Sequence, residues 1–297
     1  MRPLVVVLVI QVAIAGTFAA LATTGNLPFS GGGDGSRPAA ARPVVNRFDG
    51  PAAFELLKLQ LRYGPRPAGS AAGRRLGLKL RSLLPHGRFQ AVPGGLRNVV
   101  ATVPGRDPNR FVVVGAHYDT EAVPGYLGAN DGAAGTAAVV ELARRLRPRT
   151  IGPTVQFVLF DGEETAAGVP ESDFLRKGLR GSKVAARVFR KAQAMILIDF
   201  IAQKNLSLPM EGSSDPALWA KLRSAAASAG VGRYFPDTTE VALYDDHTPF
   251  LREGIPSIDL IDWDFPCHKR PCDNLSAVSE RNLDASGEAV AALLRTL

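Results

Sequence analysis

The sequence has no clustered run of basic residues, no internal repeats and only two cysteines. Its formal net charge is +7, but Lys and Arg are scattered along the chain, which argues against a nucleic-acid-binding surface. Hydrophobic residues make up 46% of the chain and charged residues 21%, the proportions of an ordinary folded protein. The chain is therefore expected to form a globular domain whose partners do not include nucleic acid.

An apolar run occupies the N-terminus, and its last three residues, ALA, have the small-x-small form of a signal-peptidase site. The run is about as long as the shortest membrane-spanning helices, so residues 1–22 are predicted to be a signal peptide or a membrane anchor. Residues 23–47, rich in Gly, Pro and Ala, are predicted to be a flexible linker. We expect an exported protein, secreted or anchored to the outer face of the cell membrane, with a folded domain at 48–297.

The two cysteines, Cys267 and Cys272, lie close together near the C-terminus. In an exported protein such a pair favours a disulfide. A thiolate metal site is the alternative, and it is less favoured because oxidation competes with metal binding outside the cell.

Strand-like and helix-like segments alternate along the rest of the chain. Two apolar segments, 98–103 and 111–116, are predicted to form a hairpin, because PGRDPN between them consists of turn-forming residues. Further strands are predicted at 155–160, 195–198 and 255–261, and helices at 49–62, 70–84, 132–146, 181–192, 215–229 and 279–294. This alternation predicts an α/β sandwich with a mixed sheet.

The stretch VQFVLFDGEE, residues 155–164, joins a buried strand to a group of acids. Asp161, Glu163 and Glu164 come where the strand ends, and open α/β sheets place their ligand sites at that edge. Adjacent side chains point in different directions, so one glutamate could bind a cation while the other faces a substrate.

Other predicted strands also end in a histidine or an acid, and Asp131 begins a helix between them. Each such residue alone has a simpler explanation, such as a helix cap or a packed histidine. Together they form a mixed set of imidazoles and carboxylates that suits a divalent ion, zinc foremost, and two ions could share a carboxylate. Three of the four histidines lie in this region, and the fourth, His86, is assigned to a surface turn.

The sequence resembles the zinc-dependent M28 peptidase family, which also contains the glutaminyl-peptide cyclotransferases. The matching segments occur in family order and cover nearly everything from Tyr63 to the C-terminus: GPRPAGS, RNVVATVPG, VVVGAHYDT, GANDGAAGTAAVVELAR, VQFVLFDGEE, ILIDF, DDHTPFLREGIPSIDLI and CHKRPCDNLSAVS. The resemblance implies a three-layer α/β/α sandwich with a central mixed, mostly parallel sheet, as in zinc exopeptidases. It also implies an enzyme with one or two zinc ions that acts on peptide or protein N-termini.

The resemblance also assigns metal ligands. His117 and Asp199 would hold one ion and Glu164 and His268 the other, while Asp131 would bridge them.

Three further roles follow from the same resemblance. Glu163 would be the general base, and Asp119 would orient His117 through a hydrogen bond. The pair Cys267 and Cys272 resembles the disulfide-closed loop of some secreted aminopeptidases, which would hold the neighbouring histidine. The chain departs from the family here, because it has Cys-His-Lys-Arg-Pro where the family often has Trp-His-Thr-Pro or Tyr-His.

Two reactions are compatible with these roles. An aminopeptidase would use zinc-activated water with Glu163 as its base. A glutaminyl-peptide cyclotransferase would form N-terminal pyroglutamate, with Glu163 moving a proton from the α-amine to departing ammonia. Asp245, in an Asp-Asp-His segment that cyclases share, joins Glu163 and Asp119 as a candidate catalytic residue and favours cyclisation. The pocket of the cyclases is walled by tryptophans, and this chain lacks tryptophan at the matching positions, which favours hydrolysis. The sequence therefore ranks hydrolysis first by a small margin.

The substrate pocket is predicted from nearby aromatic and imidazole side chains. Its candidate residues are Tyr244, His247, Trp263 and Phe265, with Tyr126 as a further candidate wall. Trp263, Phe265 or Trp219 could compensate for the missing tryptophan wall. A third hypothesis is a non-catalytic, peptidase-like binding domain, and the complete ligand set disfavours it.

Overall fold

The computed structural model describes Pro43 and residues 46–297. The predicted signal peptide or anchor at 1–22, and most of the predicted linker at 23–47, lie outside the described residues. Among the residues that are described, no helix has the length and apolar character needed to cross a membrane.

A six-stranded sheet forms the centre of the domain. Its strands are β1 (Arg88–Val92), β2 (Leu96–Val103), β3 (Asp107–His117), β4 (Pro153–Phe160), β5 (Met195–Ile198) and β6 (Ser257–Leu260). They lie in the order β1-β2-β4-β3-β5-β6. The contacts β4–β3, β3–β5 and β5–β6 are parallel, whereas β1–β2 and β2–β4 are antiparallel. The predicted mixed, mostly parallel sheet is confirmed.

Helices cover both faces of this sheet. They are α1 (Gly50–Leu61), α2 (Ala71–Leu83), α3 (Gly135–Arg145), α4 (Phe174–Lys177), α5 (Arg180–Val188), α6 (Pro216–Ser228), α7 (Thr248–Arg252) and α8 (Glu280–Leu293). Side chains alternate across β3: Val112 and Val114 join a core with α1, α2, α3, α6 and α8. Val113 between them joins a second core with α5 and α7. Because successive strand residues point to opposite faces, the two cores establish the three-layer sandwich.

The predicted hairpin between the second and third strands is wrong. Strand β4 lies between β2 and β3 and pairs with both. The residues of the supposed turn instead form hydrogen bonds with the segment that precedes β4. The Arg106 N–H donates to the Ile151 carbonyl at 2.9 Å, and the Asp107 N–H donates to the Gly152 carbonyl at 3.0 Å. The apolar strand β4 thereby gains a neighbour on each edge, as a buried central strand requires.

A hairpin that the sequence did not reveal joins β1 and β2. Its turn uses Gly94 and Gly95, both at positive φ, which glycine adopts without strain. Strand β1 was missed because it is half-exposed and lacks a regular apolar alternation.

Helix α3 packs unusually close to the sheet. A Cβ atom added to Gly135 would lie 2.0 Å from the carbonyl oxygen of Ile198, the last residue of β5. Glycine at the start of α3 therefore brings the segment before this helix against the end of β5.

Candidate active site

Strand ends and two loops bring the predicted site residues to one edge of the sheet. His117 ends β3, Glu163 and Glu164 follow β4, and Asp199 follows β5. These residues line one cavity of about 340 Å³ together with Asp131 and His268. The carboxyl edge of the parallel strands thus forms the site, as expected for an α/β sheet.

Three side chains form a compact group that can hold a metal ion. His117 Nε2 lies 3.1 Å from Asp131 Oδ1 and 3.6 Å from Asp199 Oδ1. One ligand atom from each residue lies within 4.8 Å of the other two. Tetrahedral zinc with bonds of about 2.0–2.2 Å places neighbouring ligand atoms roughly 3.3 Å apart. The donor types and their spacing therefore fit zinc.

Glu164 and His268 line the same cavity but are not part of this compact group. His268 packs edge-on against Trp263, with ring centroids 4.7 Å apart. The proposed second pair of ligands therefore faces the site without forming a three-residue cluster in the described part of the chain.

Most acids of the site have a raised pKa, and burial is the largest cause. Burial raises the pKa of Glu163 well above its usual value, and the charge of Glu164 raises it further. Burial likewise raises the pKa of Asp199 to about 8, against the opposing effect of His117. Burial would also raise the pKa of Asp131, but its hydrogen bond with His117 lowers it instead. A divalent cation would stabilise the ionised carboxylates, which is the second reason that the site fits zinc.

Asp119 does not make the hydrogen bond that the sequence led us to expect. Its Oδ1 lies 3.8 Å from His117 Nδ1, too far for a hydrogen bond. Its carboxylate instead accepts the backbone N–H groups of Glu163 at 3.3 Å and Glu164 at 3.2 Å. Asp119 therefore shapes the turn that presents the two glutamates.

The cavity wall contains two of the four predicted pocket residues. Tyr244 and Trp263 line the cavity, whereas Phe265 and His247 do not. Trp263 stacks on Phe200, a wall residue that the sequence did not suggest, at a centroid distance of 5.9 Å. Phe265 supports this pair from behind, since it packs edge-on against Phe200 at 5.8 Å.

Two aromatic candidates lie away from the wall. Trp219 is buried in the core against Phe235, with ring centroids 6.2 Å apart. Tyr126 is fully buried behind Asp131 and does not line the cavity.

His247 belongs to a second buried cluster. Its Nε2 lies 2.8 Å from the Ser213 hydroxyl and 3.3 Å from Glu211 Oε2, and its Nδ1 lies 3.5 Å from Asp259 Oδ2. Asp245, which does line the cavity, is buried two positions before His247.

The expected disulfide is present, and it closes the loop that carries His268. Cys267 and Cys272 are joined, with their Cα atoms 5.3 Å apart. Within this loop Lys269 pairs with Glu121 at 2.9 Å. The residue after the loop, Asp273, accepts the N–H group of Asp131 at 3.1 Å.

Sequence reasoning missed Asp273, because a polar residue beside a cysteine in a loop resembles a solvent-exposed position. Sequence reasoning also missed Arg66. This residue is fully buried, although the segment YGPRPAG that contains it was predicted to be a loop.

Comparison with known proteins places these observations in context. The model of peptidase family M28 matches residues 98–294. A glutaminyl-peptide cyclotransferase of Drosophila melanogaster is 27% identical over 226 residues, which cover 63% of this chain and 61% of that protein. The chain thus spans less than two-thirds of this curated relative's length.

Solved structures give the same picture over more of the chain. The glutaminyl cyclase of Porphyromonas gingivalis matches with a TM-score of 0.74 and 28% identity, covering 84% of this chain and 99% of that one. A Zn-dependent exopeptidase of Parabacteroides distasonis matches with a TM-score of 0.74 and 25% identity, covering the same 84% and 99%. Both a cyclase and an exopeptidase therefore share the fold that carries this site.

Proposed function

The chain belongs to peptidase family M28, and from this premise we propose that it is a zinc-dependent enzyme that acts on the N-terminal residue of peptides. The observation that carries the proposal is the compact group of His117, Asp131 and Asp199 beside the buried Glu163 in one cavity. A complete buried donor set next to a potential proton carrier supports an enzyme rather than an inert binding domain.

We favour cyclisation of N-terminal glutamine as the reaction, which reverses the order derived from the sequence alone. The sequence could not place an indole in the pocket wall, and the structure puts Trp263 there, stacked on Phe200. Asp245 also lines this cavity, buried near Glu163. An apolar wall with buried carboxyl groups suits a glutamine side chain folded back towards its own α-amine.

In this reaction the α-amine attacks the γ-amide carbon, the new C–N bond closes the ring, and ammonia leaves. Glu163 takes a proton from the attacking amine and delivers it to the departing nitrogen. Asp245 offers a hydrogen-bond partner to the same amine or amide groups. Zinc held by the site residues would polarise the carbonyl under attack. Trp263 and Phe200 would provide an apolar surface against which the glutamine side chain can pack.

Aminopeptidase hydrolysis is the second candidate. The observation in its favour is that all five implied ligands line one cavity, so the site has donors for two ions. Glu163 would then take the proton of an attacking water and pass it to the leaving amine.

A two-substrate assay tests both candidates. Purified protein is given a Gln-peptide and a Leu- or Ala-anilide, with and without added zinc, and pyroglutamate and free amine are measured. Zinc-dependent pyroglutamate formation without anilide cleavage is the expected result. Anilide cleavage without pyroglutamate would reverse the ranking, and an inert protein without stoichiometric zinc would contradict the proposal altogether.

We further propose that the protein works outside the cytoplasm. The Cys267–Cys272 disulfide supports this, because disulfides persist in oxidising compartments. The apolar N-terminal run at 1–22 supports it as well. N-terminal sequencing of protein recovered from culture medium and from membranes would distinguish a cleaved signal peptide from an anchor.

A further inference from the structure

The carboxylate of Asp131 is held from both sides. Its Oδ1 lies 3.1 Å from His117 Nε2, and its Oδ2 accepts a hydrogen bond of 2.6 Å from the Tyr126 hydroxyl. Hydrogen bonds to an ionised acceptor are short and roughly twice as strong as those between neutral groups. Because each oxygen has its own partner, the carboxylate cannot rotate without losing one contact.

The backbone of Asp131 is fixed separately. Asp273 accepts the N–H groups of Asn130 at 2.8 Å and Asp131 at 3.1 Å, one with each carboxylate oxygen. Asp131 has φ −84° and ψ 104°, outside the helical region, and the next residue, Gly132, has φ +86°. Asp273 therefore fixes the main chain of Asp131, while the Tyr126 hydroxyl bonds its side chain.

Tyr126 is rigid enough for this purpose. Its side chain is fully buried, and its N–H group donates to the Val123 carbonyl at 3.1 Å. The buried Arg66 guanidinium donates to the carbonyls of Gly128 at 3.0 Å and Tyr118 at 2.9 Å, which fixes the loop that carries Tyr126. The hydroxyl cannot follow a displaced carboxylate, so it defines one position for Oδ2.

We propose that Tyr126 is a positioning residue of the metal centre, whose hydroxyl holds Asp131 in the orientation that binds zinc. The inference rests on the zinc dependence proposed above and adds a residue that does not touch the ion. Groups that hydrogen-bond a metal ligand typically contribute about 10- to 100-fold to metal affinity.

Zinc affinity of the full chain, measured by competition with a chelator of known affinity, tests this role. Tyr126→Phe removes the hydroxyl and keeps the ring, and we expect about 10- to 100-fold weaker zinc binding. Tyr118→Phe is the matched control, because this buried hydroxyl donates to the backbone carbonyl of Arg97 at 2.9 Å rather than to a metal ligand. We expect the control to bind zinc as the parent protein does.

Cobalt provides a second readout, since the visible absorption of bound cobalt depends on the geometry of its ligands. A changed cobalt spectrum in Tyr126→Phe, with an unchanged spectrum in Tyr118→Phe, supports positioning. Unchanged zinc affinity and cobalt spectrum in Tyr126→Phe would overturn the inference, as would equal losses in both variants. Neither readout uses a substrate, so a failure of the turnover assays would be distinguishable from a failure of this proposal.

Discussion

Two buried clusters in the described part of the chain combine a histidine with acids, and one of them faces the cavity. Around His117 lie Asp131 and Asp199, and all three line the cavity. Around His247 lie Glu211 and Asp259, which are closed off from the cavity. We refer to them as the open cluster and the closed cluster.

The closed cluster supplies partners for one of its acids, Glu211. Burial alone would raise the pKa of Glu211, but its hydrogen bonds with His247 and with backbone N–H groups, including that of Leu243, lower it to about 2. Burial and the nearby Asp245 raise the pKa of Asp259 well above its usual value.

The open cluster shows a similar pattern, since His117 lowers the pKa of Asp131 against the effect of burial, while burial raises the pKa of Asp199 to about 8. The two clusters differ in access: the open cluster lines a cavity that a cation can enter, whereas Glu211, His247 and Asp259 do not line it.

The largest expected effect concerns turnover at the open cluster. Glu163→Gln removes the proton carrier and keeps the ligand group, so turnover should fall by about 10²- to 10⁴-fold while zinc remains stoichiometric. Turnover and elemental zinc are the measurements. Glu55→Gln, a change of the same kind on the surface of α1, is the control and should behave as the parent protein does. A Glu163→Gln protein with full turnover would show that another group carries the proton.

A substitution in the closed cluster should affect stability instead. His247→Leu removes the imidazole partner of the buried Glu211, so the free energy of unfolding should fall by about 1.5–3 kcal/mol, the range for a hydrogen bond to a charged group. Urea unfolding of the zinc-free protein measures this loss, and zinc stoichiometry of the folded variant should be unchanged. The exposed His86 is the control, and His86→Asn should stay within about 0.5 kcal/mol. Loss of zinc without loss of stability would mean that the two clusters are not separate.

The pH dependence of Glu211→Gln sharpens the distinction. The folded-state pKa of Glu211 lies below its unfolded value, so ionised Glu211 stabilises the protein above about pH 4.5, and this contribution disappears as the pH falls towards 2. At neutral pH the variant should be less stable by about 1.5–3 kcal/mol, the range for hydrogen bonds to charged groups. Urea unfolding without zinc measures the difference in the free energy of unfolding between the parent protein and the variant, and this difference should be smaller at pH 3 than at pH 7. An equal difference at both pH values would contradict the low pKa of Glu211.

The smallest expected effect belongs to Ser213→Ala. The Ser213 hydroxyl bridges His247 Nε2 at 2.8 Å and both oxygens of Glu211 at 3.0 Å. Removal of this hydroxyl should lower the free energy of unfolding by about 1 kcal/mol, the contribution of a typical hydrogen bond. The same unfolding assay measures it, with Ser228→Ala on the exposed face of α6 as the control. If Ser213→Ala lowered the free energy of unfolding as much as His247→Leu does, the hydroxyl rather than the imidazole would be the main stabilising group of the closed cluster.

The open cluster could be predicted from the sequence for a physical reason. Parallel strands end at one edge of a sheet, so His117 and Asp199, each at a strand's end, could be expected to meet. The closed cluster had no such signal, because Asp259 lies inside the apolar strand β6 and Glu211 lies in an irregular segment.

The errors have physical causes as well. The order of strands depends on long-range pairing, so a turn-like PGRDPN could not reveal that β4 would lie between β2 and β3. The direction of a side chain depends on its packing, so Asp119 was predicted to bond His117 when it bonds the backbone after β4. Tyr126 was predicted as a pocket wall for the same reason, although it supports Asp131 from behind.

The contact between Gly135 and the Ile198 carbonyl limits how this enzyme can evolve. A single methyl group at position 135 would collide with the backbone of β5, so α3 and β5 could not keep their present contact. Any residue larger than glycine at position 135 therefore requires a different packing of α3 on the sheet, next to the strand end that precedes Asp199.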